Sequence, residues 1–311
     1  MSVEATVVVE TFTLCETSSW ERVEQTLAAA ARMVEAHGDA ELVVLDVTGE
    51  DEVAHRLGSS FAGARRVAAA GLSYDAAKGI AAQEARGTYI AYLDGDCLPE
   101  RDDWLERHLE ALRAGAVATG GFTRYEGGFR GALESVLDFG FMLPARPRTL
   151  ACYASNNVAF RRDLVVEVPV PDGPMRCRCF AHSQTLLRRG TPVRYVPEAR
   201  VRHERQPFVE ERLRQGFDEV AALWTDPGLP LRPLLRLGPL ALPPLYARAV
   251  LRDWQRLAAG RRDLGLSRAG AAVAAVLLPV ARLVDAGGML RALLPGGRTS
   301  RFVVTGAPAG R

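Results

Sequence analysis

Three short apolar runs, each closing on a carboxylate, constrain this chain most. They are Ala-Thr-Val-Val-Val-Glu at 5–10, Glu-Leu-Val-Val-Leu-Asp at 41–46 and Tyr-Ile-Ala-Tyr-Leu-Asp at 89–94. Runs this short, apolar and rich in β-branched and aromatic residues predict strands. Helical signals lie between them. Ser18-Ser19-Trp20-Glu21 matches a capping box, Val23, Leu27, Ala30 and Val34 recur at helical spacing, and Gly38 stops the pattern. Tyr74 to Ala85 is Ala-rich and Gly87 closes it. A third helix has Glu100, Asp102 and Asp103 at its start and Arg113 and Gly115 at its end, which suits the macrodipole. Strands alternating with helices of this length predict an α/β fold with βαβ units and a parallel sheet. No Gly-x-Gly-x-x-Gly follows the first strand and no Gly-x4-Gly-Lys-Ser/Thr occurs, so a dinucleotide fingerprint and a P-loop are excluded.

The third run ends on Asp94-Gly95-Asp96, followed by Cys97-Leu98-Pro99. Carboxylates one residue apart at a strand tip face the crevice where open α/β sheets bind ligands. Two hard oxygen donors suit Mg²⁺ or Mn²⁺, an ion usually shared with substrate phosphates. The competing explanation is a polar turn after a strand. An EF-hand is excluded, because Leu98, Pro99 and Leu105 fall where that loop needs an oxygen donor, Gly and Glu.

At 311 residues, 48% hydrophobic and 24% charged, the chain can bury a full core. Its first residues carry no basic stretch followed by an apolar one, so no secretory signal is expected. Five irregularly spaced cysteines predict no disulfide framework and fit a reducing cytosol. The formal charge of +2 hides an asymmetry: residues 229–311 hold thirteen Arg and three Asp, with no Lys or Glu, a net +10. A basic tail on an acidic body implies an anionic partner. Leu231–Ala247 is rich in Leu and Pro, and Ala269–Ala281 is an uncharged run of 13 residues, short of the ~20 a spanning helix needs. Apolar segments with an Arg fringe predict helices in a membrane interface, as against an ordinary helical pair packed on the core. Basic residues interleaved with aromatics are missing there, which argues against nucleic acid. From Gly120 to Phe141, glycines flank aromatics as in a mobile segment.

Four blocks together resemble the family 2 glycosyltransferases of GT-A fold. They are the opening strand with Val44-Leu45-Asp46, the stretch from Tyr74 to Ala82 running into Gly87–Asp96, Ser155-Asn156-Asn157-Val158-Ala159-Phe160-Arg161-Arg162, and Leu186–Gly190 with Tyr195–Ala199 and His203. The resemblance covers about residues 3–205. It implies a Rossmann-like, mostly parallel sheet flanked by helices over residues 1–210, split into a nucleotide-sugar half (1–119) and an acceptor half (120–210). Residues 211–311 form a helical, membrane-associated appendage. It further implies a metal-dependent, inverting transfer from a nucleotide-diphosphate-sugar, with UDP favoured, and the basic, apolar tail adds the expectation of a saccharide or lipid-linked acceptor at the cytoplasmic face of a membrane. Asp46 matches the carboxylate that binds the nucleobase. Glu10 and Lys78 fall with Asp46, Asp94 and Asp96 on the donor side, and Asn156 and Asn157 on the acceptor side. Asp96, Asp94 and His203 match the Mn²⁺ or Mg²⁺ site.

The sequence departs from the family at the general base. The helix ending in Arg189-Gly190 usually opens on a carboxylate, yet residues 176–187 contain none. His182 falls near the place and has a suitable intrinsic pKa, with Asp172 as the second candidate. Cys177, Cys179 and His182 fit no common zinc module. Trp104 is expected to pack a helix on the sheet. Two other readings are a catalytically silent nucleotide-binding module that recruits a partner, and a nucleotidyltransferase. The second lacks a Gly-rich basic loop after the first strand.

Overall fold

The structure, a computed structural model, describes residues 3–15, 19–171, 178–225 and 229–297. Asp172 and Cys177 lie outside them.

The three carboxylate-ended runs are strands β1 (Ala5–Glu10), β2 (Ala40–Asp46) and β4 (Tyr89–Asp94), with β3 (Arg65–Ala68) between the last two. Helices α1 (Trp20–His37), α2 (Asp51–Ser60) and α3 (Tyr74–Glu84) connect them. Ser19 caps α1 by accepting from Arg22 N, and Ser73 caps α3 by accepting from Ala76 N. β3, β2, β1 and β4 pair in parallel, and β1 and β4 are in register so that Glu10 lies beside Asp94.

Beyond β4 the sheet is mixed, not mostly parallel. After β5 (Cys97–Pro99) and α4 (Trp104–Arg113) come β6 (Ala118–Tyr125), α5 (Gly128–Phe139), β7 (Thr149–Leu150), β8 (Asn157–Arg161), α6 (Arg162–Glu167), α7 (Cys179–Arg188) and β9 (Val193–His203). The order is β3-β2-β1-β4-β8-β6-β9-β5, with β7 also on β9. β8 runs antiparallel to both β4 and β6, and β5 antiparallel to β9. Hydrophobic cores form on the two faces, one around Val8, Tyr92 and Phe160, the other around Val7, Leu93 and Trp104.

The glycine-rich segment from Gly120 is not loose. Gly120 and Gly121 sit inside β6 because a side chain has no room. A Cβ on Gly121 would lie 2.2 Å from Ala199 O, and one on Gly120 2.9 Å from a Leu150 methyl. β9 runs for 11 residues in spite of the proline within it. A register shift between Gly121 and Phe122 absorbs Pro197 and lets pairing continue to His203.

The C-terminal layer contains α8 (Phe208–Thr225), a 3₁₀ run (Arg232–Ala241), α9 (Leu242–Gly260) and α10 (Arg268–Leu293). α10 has 26 residues, so the 13-residue apolar run is half of a helix roughly 39 Å long at 1.5 Å per residue. It is long and apolar enough to cross a membrane. It crosses α8 almost backbone to backbone: a Cβ on Gly216 would lie 1.9 Å from Asp285 O, and one on Gly288 1.9 Å from Leu213 O. Pro279 interrupts its hydrogen bonding and leaves Ala275 O without a helical donor. Trp254 Nε1 on α9 donates to that oxygen at 2.8 Å.

Candidate active site

The site grows from the ends of β1 and β4. Gly95 makes the turn between the two aspartates, and only Gly fits, since a Cβ there would lie 2.5 Å from Glu10 O. β5 then pairs with β9 so that Cys97 faces His203. This register brings His203 beside Asp96 across more than a hundred residues of chain. His203 Nδ1 lies 3.6 Å from Asp96 Oδ2, and Gln206 Nε2 donates to the same oxygen at 3.1 Å. Ligand atoms of Asp96, Cys97 and His203 all fall within 4.8 Å of one another.

The two aspartates differ electrostatically. Lys78 Nζ on α3 is 2.7 Å from Asp94 Oδ1 and also donates to Ser155 O at 2.7 Å. Tyr74 Oη sits 2.8 and 2.7 Å from the Asp94 oxygens. Asp94 is thus a neutralised, fixed acceptor. Asp96 has no such cation. Burial raises its carboxyl to about 6, with His203 opposing and Asp94 reinforcing the shift. Burial, then the charge of Asp94, pushes the Glu10 carboxyl well above its usual range. A buried carboxylate short of positive charge beside an imidazole is a donor set that fits a divalent cation. Burial raises the Cys97 thiol well above its ordinary value, and a soft sulfur suits Mn²⁺ or Mg²⁺ less than oxygen and imidazole do, so Asp96 and His203 are the donors that fit best.

Asp94, Asp96, Asn156 and His203 line a cavity of about 470 Å³, with Tyr74, Tyr125 and Tyr153 around them and α8, α9 and α10 forming its other side.

Residues 16–168 match the family model for glycosyl transferase family 2. The chain carries a family 2 glycosyltransferase domain. No match was found among curated proteins. The mannosyltransferase PcManGT from Pyrobaculum calidifontis, solved with GDP-Man and Mn²⁺, superposes with a TM-score of 0.58 at 16% identity, over 92% of this chain and 87% of that one. A mycobacterial protein superposes at 0.51 with 18% identity, over 71% and 73%. GalNAc-T7, solved with UDP, GalNAc and Mn²⁺, gives 0.49 at 14% identity over 66% of this chain, which spans 44% of that enzyme. At these identities the first two superpositions establish the fold alone, which is the GT-A fold.

Several residues expected in the glycosyltransferase site stand elsewhere. His182 does not line the cavity. It is fully buried against Tyr153 and Phe160, its Nε2 bonds Val168 O at 2.8 Å and its Nδ1 bonds Tyr153 Oη at 2.7 Å. Burial drives its pKa down to about 4. Both ring nitrogens are engaged and the ring cannot reach a substrate, so His182 is corrected from base to core residue. Asn157 faces the opposite side of the sheet from Asn156. Its Oδ1 accepts from Trp104 Nε1 at 2.8 Å and lies 3.1 Å from His108 Nε2, while its Nδ2 donates to Phe122 O and Ala199 O. It ties β8 to β6, β9 and α4, and Trp104 packs α4 as expected. Asn156 Oδ1 accepts from Thr123 Oγ1 at 3.0 Å.

Lys78 supports Asp94 from behind instead of lining the cavity. Glu10 lies under the turn, bonded by Phe12 N and by Gly95 N at 3.3 Å. Asp94 is outside the cluster of Asp96, Cys97 and His203. Asp46 is buried at the tip of β2, held by Thr48 Oγ1 at 2.7 Å and Arg66 Nε at 2.8 Å, and these bonds keep its pKa low against the cost of burial. Cys179 is disulfide-bonded, which departs from the all-thiol expectation and removes it as a zinc ligand.

Sequence reasoning gave no role to Tyr74, although Tyr74 and Lys78 stand one helical turn apart on α3. It also passed over Arg248, Arg252 and Arg256, whose four-residue spacing predicts one helix face. Gln206 carries no sequence signal.

Proposed function

We propose that the domain transfers a sugar from a nucleotide-diphosphate-sugar to an acceptor hydroxyl, with inversion, using Mn²⁺ or Mg²⁺ held by Asp96 and His203. The observation that carries this is Asp96: buried, uncompensated by a cation, and facing both His203 and the cavity. The GDP-Man and Mn²⁺ bound by the Pyrobaculum mannosyltransferase support the ligand class. When bound, the cation supplies Lewis-acid neutralisation of the leaving diphosphate. Asp94 orients the donor's hydroxyls, and Lys78 and Tyr74 fix its position. Gln206 holds Asp96 Oδ2 in place. The nucleobase lies over the tip of β2 near Asp46. Residues 1–210 form the catalytic domain, and 211–311 form an appendage that walls the acceptor side.

The appendage rests on an anionic membrane surface. Val276, Val280 and Leu283 on one face of α10 are 71, 59 and 61% exposed. Arg282 and Asp285 on the same helix are buried. Arg282 bonds Asp253 at 2.6 Å and Glu219 at 2.8 Å. That ionic cluster binds α10 to α8 and α9, which favours lying in an interface over crossing it as a lone helix. The acceptor is accordingly a cell-surface saccharide or a lipid-linked one.

A screen of UDP- and GDP-sugars with Mn²⁺, measuring released nucleoside diphosphate, tests the activity. Turnover that disappears with chelator and in Asp96→Asn is expected. Metal-independent release, or undiminished release by Asp96→Asn, contradicts the proposal.

A further inference from the structure

The wall that α9 presents to the cavity carries three arginines on one face. Arg248, Arg252 and Arg256, spaced i, i+4, i+8, all line it. Glu211, Asp218 and Glu219 on α8 line the same cavity, but among the described residues the ion pairs of these arginines reach Glu219 and Asp253 alone. Arg282 bonds both oxygens of Asp253, at 2.6 and 3.1 Å, and also Glu219. Among the described residues Arg256 pairs with Asp253 alone, at 3.5 Å, and burial together with neighbouring Arg252 pushes its pKa down to about 10. Arg252 reaches Glu219 at 2.6 Å, and its buried Nε lies 3.9 Å from Asp253 Oδ1, with no hydrogen-bond partner among the described residues. Arg248 has no ion pair among the described residues, although it faces the same space. Apolar side chains adjoin the ladder in the cavity: Leu223, Leu229, Leu245 and Met289.

We infer that the acceptor is an anionic amphiphile, whose phosphate or carboxylate docks on Arg248, Arg252 and Arg256 while its apolar portion lies on Leu223, Leu245 and Met289. This rests on the glycosyltransferase function proposed above and names its substrate class. Guanidinium forks recognise phosphate and carboxylate in the plane of their oxygens, and half-buried ones do so with less competition from water. The donor's diphosphate is served by the cation site at Asp96, on the opposite, sheet-side wall. The α9 arginines, which share Glu219 and Asp253 with Arg282, therefore match a second anion.

Isothermal titration of the full chain with decyl phosphate, below micelle formation, tests the inference. Binding is expected, with inorganic phosphate and uncharged decyl glucoside at least tenfold weaker. Decanoate set against decyl phosphate distinguishes a carboxylate from a phosphate. Arg248→Gln removes no ion pair among the described residues and should fold normally, and it should weaken decyl phosphate binding about tenfold. Arg256→Gln, checked by its melting temperature, should do the same. Neither should alter Mn²⁺-dependent nucleotide binding. Asp96→Asn should show the reverse pattern. Equal binding of decyl glucoside, or unchanged affinity in Arg248→Gln and Arg256→Gln, overturns the inference. So does weakened nucleotide binding in those two variants, which would assign the ladder to the donor. Decyl phosphate binding intact in a wild type that binds no nucleotide overturns the glycosyltransferase proposal, and the acceptor role with it.

Discussion

Asp94 and Asp96 are one residue apart and chemically unlike, because Lys78 and Tyr74 reach only the first. The Lys78–Asp94 pair is almost fully buried, with side chains 8 and 10% exposed. Lys78→Met should therefore cost about 3–5 kcal/mol in urea denaturation by stranding a buried carboxylate. Adding Asp94→Asn should recover much of that loss, and no recovery would contradict the pairing. His182 and His108 belong to the core, both with pKa lowered to about 4 by burial. The unfolded chain takes up their protons near pH 6.5, so stability present above pH 6.5 is lost as pH falls toward about 4. The urea midpoint should drop over that window, and His182→Gln should drop less. An equally steep fall in His182→Gln would leave His182 out of the effect. Asp94 and Asp96 could be placed at the crevice because they close an apolar run, whereas His203 was suggested only by the family resemblance. The core role of His182 could not be, since burial depends on Tyr153, Phe160 and Val168 from other segments.

Among the elements, β1, β2 and β4 were legible because each is a continuous apolar run bounded by a helix signal, whereas β3, Arg-Arg-Val-Ala at the sheet edge, carries no such run. The half beyond β4 was not legible either. β6 carries two glycines for the sake of its neighbours, and β8 begins at Asn157, whose amide is used by tertiary partners. Gly121→Ala should accordingly cost on the order of 3 kcal/mol in chemical denaturation, because the methyl collides with Ala199 O and the Asn157 amide. A neutral effect would contradict the close approach of β6 and β9. Trp254 offers a test in the C-terminal layer. Trp254→Phe should cost about 1 kcal/mol beyond its lost packing by leaving Ala275 O unbonded. In a Pro279→Ala background the helix supplies that donor itself, so the cost should shrink. Equal costs in both backgrounds would show that the bond contributes nothing.

For the molecule as a whole, the charge asymmetry and the apolar stretches of the last eighty residues signalled a distinct layer. Its length and packing did not follow, because α10 owes its burial to glycine contacts with α8 and to ion pairs far apart in sequence. The intact chain should float with vesicles containing anionic lipid, less with neutral ones, and be released by salt. Equal binding to both vesicle types would refute an electrostatic contribution. The central claim is that Asp96, paired with His203, holds a divalent cation against a nucleotide diphosphate. Calorimetric titration of UDP and GDP into the protein, with and without Mn²⁺, tests it most directly. Binding that requires Mn²⁺ and is lost in folded Asp96→Asn is the predicted result. Binding indifferent to the metal, or retained in Asp96→Asn, would contradict it.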